Sequence, residues 1–408
     1  MVDMVDMDHA ATTALCDEAR EAMEPFLASA RVSVAYGNPS GSHSIARAAV
    51  RAVDEAREQV AWSLGCRPSE VVFTSGGTEA DNHAITGGMP PRPGRPVCSA
   101  VEHHAVLEPT RLLGGEVVAV DRLGRVDLTA LAHALAACER TDGPTPGVVS
   151  VMLANNELGT INDVSAVAEV VRDVLPHAGV HTDAVQAAPW LDVAVLAADA
   201  DLLSVSAHKL GGPKGTGALV VRDPTPINPL LIGGAQEQER RGGTHNVAGI
   251  VGFAAALGAA VSNRCERVRS TAARRDRLAG ELTATIEGVM ETVGPAVAAG
   301  LGLPADRSHL LPGHCHLLVD GVGGEELLLV LEKNGVCASA ASSCASGAVG
   351  ASHVLDAIGL GAVPAASLRL SLGVDTTDED VEATVAAMSR SVSHIRSIAA
   401  AGENAGLR

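Results

Sequence analysis

Between residues 69 and 221, short apolar runs alternate with amphipathic stretches in a strand–turn–helix rhythm. Residues 71–73 read as a strand, followed by a helix from about Thr78. Residues 97–100 form the next apolar run, ahead of a helix over 105–113. Residues 116–120 and 148–153 read as buried strands, with helices at 127–137 and 164–175. Residues 180–182 and 202–206 complete the set, and 218–221 can pair antiparallel. Strands that alternate with helices in this way predict an α/β fold with a mostly parallel sheet, covered on both faces.

The pattern changes after about residue 260. An Arg- and Ala-rich helical stretch covers 263–289, followed by a strand near Leu317, a helix over 325–333 and a loop of small residues. A strand at 368–372 and a helix from about Asp378 close the chain. The division this suggests is a large α/β domain over 14–262 and a smaller α+β domain over 263–408, which also takes in residues 1–13. There is no internal repeat.

Composition narrows the class. A formal charge of −18 over 408 residues argues against a nucleic-acid or anionic-membrane surface. No apolar run is long enough to cross a bilayer, and the acidic N-terminus lacks a hydrophobic signal core, so a cytoplasmic protein is expected. The eight cysteines are scattered without a CxxC pair, which predicts small buried thiols in a reducing compartment rather than a disulfide framework.

Lysine usage points to chemistry. Lys209, Lys214 and Lys333 are the only lysines in a Lys+Arg total of 30. A lysine amine can lose its proton and condense with an aldehyde, which a guanidinium cannot do. Lys209, in Ser206-Ala207-His208-Lys209, is therefore a candidate Schiff-base residue; survival under a compositional bias is the alternative.

Other candidates lie at strand ends, where open parallel sheets bind ligands. Thr74-Ser75-Gly76-Gly77-Thr78-Glu79 fits either a phosphate-binding helix start or an ordinary capped one. Asp183 can cap a helix or hold a pyridine nitrogen protonated, and Gln186 follows one turn later. Asn155-Asn156-Glu157 is a further polar strand end, and Ser206 and His208 could hold phosphate oxygens. In Glu102-His103-His104 an imidazole could stack on a planar cofactor. No HExxH or His-x-His spacing occurs, so no metal site is expected.

The second domain adds a thiol and a cation. Residues 337–351 are almost wholly small, with Cys344 in the middle, which suits a thiol on a mobile arm as well as an incidental cysteine. Arg369 interrupts an apolar strand and needs a partner: a bound carboxylate or a structural salt bridge.

Together these motifs resemble the cysteine desulfurases, the NifS/IscS-like branch of the class V aminotransferases. The resemblance runs from Asp8-His9-Ala10-Ala11-Thr12-Thr13 to Leu368-Arg369-Leu370-Ser371, through Gly37-Asn38-Pro39-Ser40, the motifs above, and the segment from Arg241 to Thr244. It implies a fold type I transferase with a seven-stranded sheet, dependent on pyridoxal 5'-phosphate and homodimeric. Lys209 would carry the cofactor, His103 would stack on its ring, and Asp183 would hold the ring nitrogen. Gln186 and Asn156 would lie near the ring hydroxyl. Gly77, Thr78, Ser206 and His208 would hold the phosphate, with Thr244 reaching the phosphate bound in the partner subunit. Asn38, Asn156 and Arg369 would bind L-cysteine, with Arg369 on its carboxylate. Cys344 would take the sulfur as a persulfide, leaving L-alanine, and pass it to an acceptor protein.

Ala14, Ala235, Ser343 and Ala345 depart from the family pattern, and none of them removes a catalytic group. A selenocysteine lyase, another class V enzyme acting on a small amino acid, and a cofactor-free sulfur-carrier scaffold are the alternatives. The destination of the sulfur stays open among iron–sulfur assembly, tRNA thiolation, DNA phosphorothioation and thio-metabolites.

Overall fold

The computed structural model describes residues 4–27, 36–88, 95–139, 147–340 and 352–406, with side chains as far as 401. Twelve strands are formed among the described residues. In chain order they are β1 Val5–Asp6, β2 Val71–Thr74, β3 Val97–Ser99, β4 Glu116–Val118, β5 Val148–Ser150 and β6 Gly179–Asp183. β7 Leu202–Ser206, β8 Gly217–Val221, β9 Val289–Glu291, β10 His314–Asp320, β11 Val336–Cys337 and β12 Ala365–Ser371 follow.

Seven of these build one sheet in the order β2-β8-β7-β6-β5-β3-β4. Only β8 runs against the rest, pairing antiparallel with both β2 and β7. The other six therefore point the same way, and their carboxyl ends share one edge. Burial follows from this arrangement: β2, β3, β5, β6, β7 and β8 are buried along their whole length. β4 departs from the expected buried strand: it lies at the sheet edge, and only Val118 is buried. Of the run expected over 148–153, β5 takes in Val148–Ser150, and Val151 N and Leu153 N still donate to the β6 carbonyls of His181 at 3.1 Å and Asp183 at 2.9 Å.

Helices cover the sheet. In Ser44–Leu64 the buried residues Ala46, Ala49, Val53, Ala56, Val60 and Leu64 recur at three- and four-residue steps, so they form one stripe. His43 caps its start and Gly65, at φ 64°, ends it. Helix Val164–Val174 turns Val164, Val167, Ala168 and Val171 inward and is capped by Asp163, which accepts a hydrogen bond from Ala166 N at 3.0 Å. Phe253, on helix Val247–Ser262, is fully buried in the largest core.

A second core gathers Met7, Leu278, Leu282, Leu317, Leu331, Leu368, Leu370 and Ile395. Around it β9, β10 and β12 form an antiparallel sheet with β10 in the middle. The helix expected over 263–289 stops at Thr285, and the chain then enters β9 after Gly288, at φ 73°. β1 pairs parallel with β11, which ties the N-terminal segment to this second unit. Among the described residues no single helix is long and apolar enough to cross a membrane.

Candidate active site

The carboxyl ends of β2, β3, β5, β6 and β7 open onto a cavity of about 360 Å³. Its lining brings together Gly77, Thr78, His103, Asn156, Asp183, Gln186, Ser206, His208, Lys209 and Arg369. Asn38 and Thr244 are exposed and do not line it. Cys344 lies outside the described residues, as do its neighbours over 341–351. A larger hollow of about 580 Å³ shares Ala10, Gln186 and Lys209 but contains neither the glycine turn nor Asp183, so the candidate groups converge on the smaller one.

Asp81 and Asp183 line the cavity, with the buried Glu102 close enough to feel the charge of Asp183. Asp183 ends β6, is 5% exposed, and accepts a hydrogen bond from Val185 N at 2.8 Å. Burial pushes its carboxyl up to about 6, against the pull of the Val185 amide and Lys209. Burial and the charge of Asp183 hold Asp81 well above the usual carboxylate range, and burial pushes Glu102 up to about 8. Of the three, only Asp183 feels the charge of Lys209, which favours its ionised form. His181, wedged between Ser150 Oγ at 2.8 Å and Ser204 Oγ at 3.0 Å, is kept neutral by burial.

Lys209 ends the 3₁₀ turn Ala207–Lys209, directly after β7. Its Nζ donates to the carbonyls of Ala10 at 2.6 Å and Ala11 at 2.9 Å. Gln186 Nε2 donates to the same Ala10 oxygen at 2.8 Å. His208 contacts Thr12 Oγ1 at 3.1 Å, so residues 10–12 are pinned across one wall. Lys214 is exposed, and Lys333 ends helix Gly324–Lys333.

The glycine turn opens helix Gly77–Gly87 toward the cavity. Gly76 sits at φ 145°, a conformation that L side chains rarely adopt. Glu79 closes the turn by accepting hydrogen bonds from Ser75 N at 2.9 Å and Arg241 Nε at 2.9 Å. Burial works to raise the Glu79 carboxyl, but Arg241 and Ser75 bring it below its usual range. Arg241 belongs to the segment that carries Thr244. Facing the turn, the Ser206 hydroxyl is buried without a hydrogen-bond partner.

His103 caps helix His104–Leu112, and its Nδ1 accepts from Ala105 N at 3.1 Å, which assigns the ring proton to Nε2. Burial, with the Lys209 charge second, lowers it to about 4, so the ring is neutral at pH 7. Asn155 builds the turn that presents Asn156: its Oδ1 accepts from Glu157 N at 2.9 Å and Leu158 N at 2.8 Å. Arg369, 4% exposed on β12, donates to the Asn156 carbonyl at 2.8 Å and to Asp8 Oδ1 at 2.7 Å. The salt-bridge alternative for Arg369 is thus realised, while its buried Nε–H has no partner.

These residues fit pyridoxal phosphate. One cavity is lined by a buried acid, an aldehyde-reactive amine, a neutral imidazole and an unpaired hydroxyl near a helix N-terminus. The sequence reading did not anticipate the Ala10 and Ala11 carbonyls, or Asp81 and His181 beneath Asp183. Backbone carbonyls carry no residue-type signal, and Asp81 and His181 lay inside motifs read for other residues.

Known proteins agree with this picture. The model of the family Aminotransferase class-V matches residues 5–384. The cysteine desulfurase IscS of Dictyoglomus turgidum is 39% identical over 403 residues, covering 97% of this chain and 96% of that protein. An IscS-like cysteine desulfurase of Mycobacterium tuberculosis is 39% identical over 417 residues, covering 98% and 99%. The solved structure of a NifS-like protein superposes with a TM-score of 0.82 at 32% identity, covering 96% of this chain and 100% of that one.

Proposed function

Because the chain belongs to the class-V aminotransferase family, and its relatives over almost their whole length are named cysteine desulfurases, we propose that it is a pyridoxal-phosphate-dependent L-cysteine desulfurase of fold type I. The observation that carries this reading is the convergence of Lys209, Asp183, His103 and Arg369 on one cavity.

When bound, the cofactor supplies an electron sink that makes the substrate's α-proton removable and its C–S bond breakable. The chain's residues supply the rest. Arg369 binds the L-cysteine carboxylate through its guanidinium and so orients the amino acid. Asp183 would hold the ring nitrogen protonated. His103 would stack on the ring, and the turn at Gly77 and Thr78, with Ser206 and His208, would hold the phosphate. Lys209, which would hold the cofactor, would act through its Nζ as the general base that takes the α-proton.

Sulfur leaves as the Cys344 thiolate attacks it: the C–S bond of L-cysteine breaks, the S–S bond of a persulfide forms, and the carbon skeleton is protonated to L-alanine. Thr244, exposed and joined through Arg241 to the glycine turn, suits a group that reaches a second subunit, so a homodimer belongs to this reading. A cytoplasmic location and a sulfur-acceptor protein complete it.

The test is turnover of L-cysteine with a thiol reductant: sulfide and L-alanine in equal amounts support a desulfurase, and pyruvate in place of alanine rejects it. A panel with selenocysteine and serine separates it from a lyase of broader use.

A further inference from the structure

Arg369 meets a resident carboxylate before any substrate arrives. Its Nη2 donates to Asp8 Oδ1 at 2.7 Å, its Nη1 donates to the Asn156 carbonyl at 2.8 Å, and its Nε–H is buried without a partner. The arginine side chain is 5% exposed, so little water screens the pair, and Asp8 is 29% exposed.

Asp8 is held in place by backbone. Its strand partner is Ser371, two residues beyond Arg369 on β12. Ser371 N donates to Met7 O at 2.7 Å, and Met7 N donates to Cys337 O at 2.9 Å. Backbone pairing therefore holds the Asp8 main chain beside β12, with its carboxylate within reach of Arg369.

We propose that Asp8 determines affinity at the carboxylate clamp: standing on Arg369, its charge opposes the α-carboxylate of the amino acid and keeps both L-cysteine and L-alanine weakly held. This rests on Arg369 as the clamp for the substrate carboxylate. A guanidinium has five N–H donors, and two are committed to Asp8 and Asn156, so a second carboxylate can still dock. It docks beside a like charge in a partly desolvated site, where such repulsion is strong. The benefit is turnover: substrate and product share the same carboxylate, and a clamp without Asp8 would retain L-alanine.

The experiment is an equilibrium titration of the holoenzyme with L-alanine, read by the change in cofactor absorbance. Ethylamine, which lacks the carboxylate, serves as control. Wild type is compared with Asp8→Asn, Asp8→Ser and Arg369→Lys, each checked for full cofactor loading. Asp8→Asn and Asp8→Ser should bind L-alanine about tenfold more tightly and ethylamine unchanged. Arg369→Lys should weaken L-alanine alone. Unchanged or weaker L-alanine binding in the loaded Asp8 variants, with Arg369→Lys impaired, overturns the role of Asp8 and leaves the clamp standing. Unchanged L-alanine binding in Arg369→Lys removes the clamp itself.

Discussion

Arg57 and Glu237 form a two-armed ion pair, with Arg57 Nη2 on Oε1 at 2.7 Å and Nη1 on Oε2 at 2.8 Å. Glu237 also accepts from Phe73 N at 2.9 Å, next to the glycine turn, and contacts His245 Nε2 at 2.6 Å. It anchors a segment in which Glu237, Gln238 and Glu239 all take left-handed φ values of 49°, 56° and 66°. Such a run persists only where its surroundings enforce it.

A pH-dependent stability follows. Burial would raise the Glu237 carboxyl, but Arg57 and His245 outweigh it and bring the group from 4.5 down to about 2. A depressed folded-state value stabilises fully above the unfolded value, and the contribution fades as pH falls through about 2. Glu237→Gln should cost about 3 kcal/mol at pH 7. Thermal melts should show the gap to wild type shrinking between pH 5 and pH 3, and a gap that stays constant contradicts the assignment.

Asp183 has the opposite sign. Burial raises it to about 6, and a protonated ring nitrogen would favour its ionised form. Cofactor affinity should therefore weaken as pH falls below about 6, by up to roughly tenfold per unit. In Asp183→Asn, affinity should be low and this segment of the pH profile flat. Fluorescence titration of the cofactor between pH 5 and pH 8 measures both.

Gly76→Ala should impair the anion turn without filling the cavity. An added Cβ would have Ser206 Oγ as its nearest atom, at 3.8 Å, so space is not the obstacle. The strain comes from φ 145°, at about 1–3 kcal/mol. The expected result is cofactor affinity reduced by about tenfold or more with little change in the KM for L-cysteine once the enzyme is loaded.

Lys209→Arg separates charge from chemistry. Arginine can keep donating to the Ala10 and Ala11 carbonyls but cannot condense with an aldehyde. The variant should fold with wild-type stability, lose the visible absorbance of covalently held cofactor, and form no alanine. Retained activity would give the role to another group.

Much of the fold was legible because its residues carry period and type. The strands over 202–206 and 218–221, the helix over 164–175, and the antiparallel return of β8 all stand out in the hydrophobic pattern. Helix Ser44–Leu64 did not, since half of its buried residues are alanine, Ala48 and Ala52 beside them are half-buried, and Trp62 is exposed. Helix Asp17–Leu27 contains Pro25, which reads as a break. At the site, Lys209, Asp183 and His103 announce themselves by residue type. The Asp8–Arg369 pair joins positions 361 residues apart, and the lysine's partners are backbone carbonyls, so neither relationship has a local sequence signature.

The most direct measurement follows carbon and sulfur from L-cysteine in wild type and Cys344→Ser, both loaded with cofactor and supplied with dithiothreitol. Wild type should release L-alanine and sulfide one to one. Cys344→Ser should bind L-cysteine, shown by its perturbed cofactor absorbance, yet lose turnover by about a hundredfold or more. Full turnover by Cys344→Ser, or a wild-type product other than alanine, would contradict the assignment of this chain as a desulfurase that works through a Cys344 persulfide.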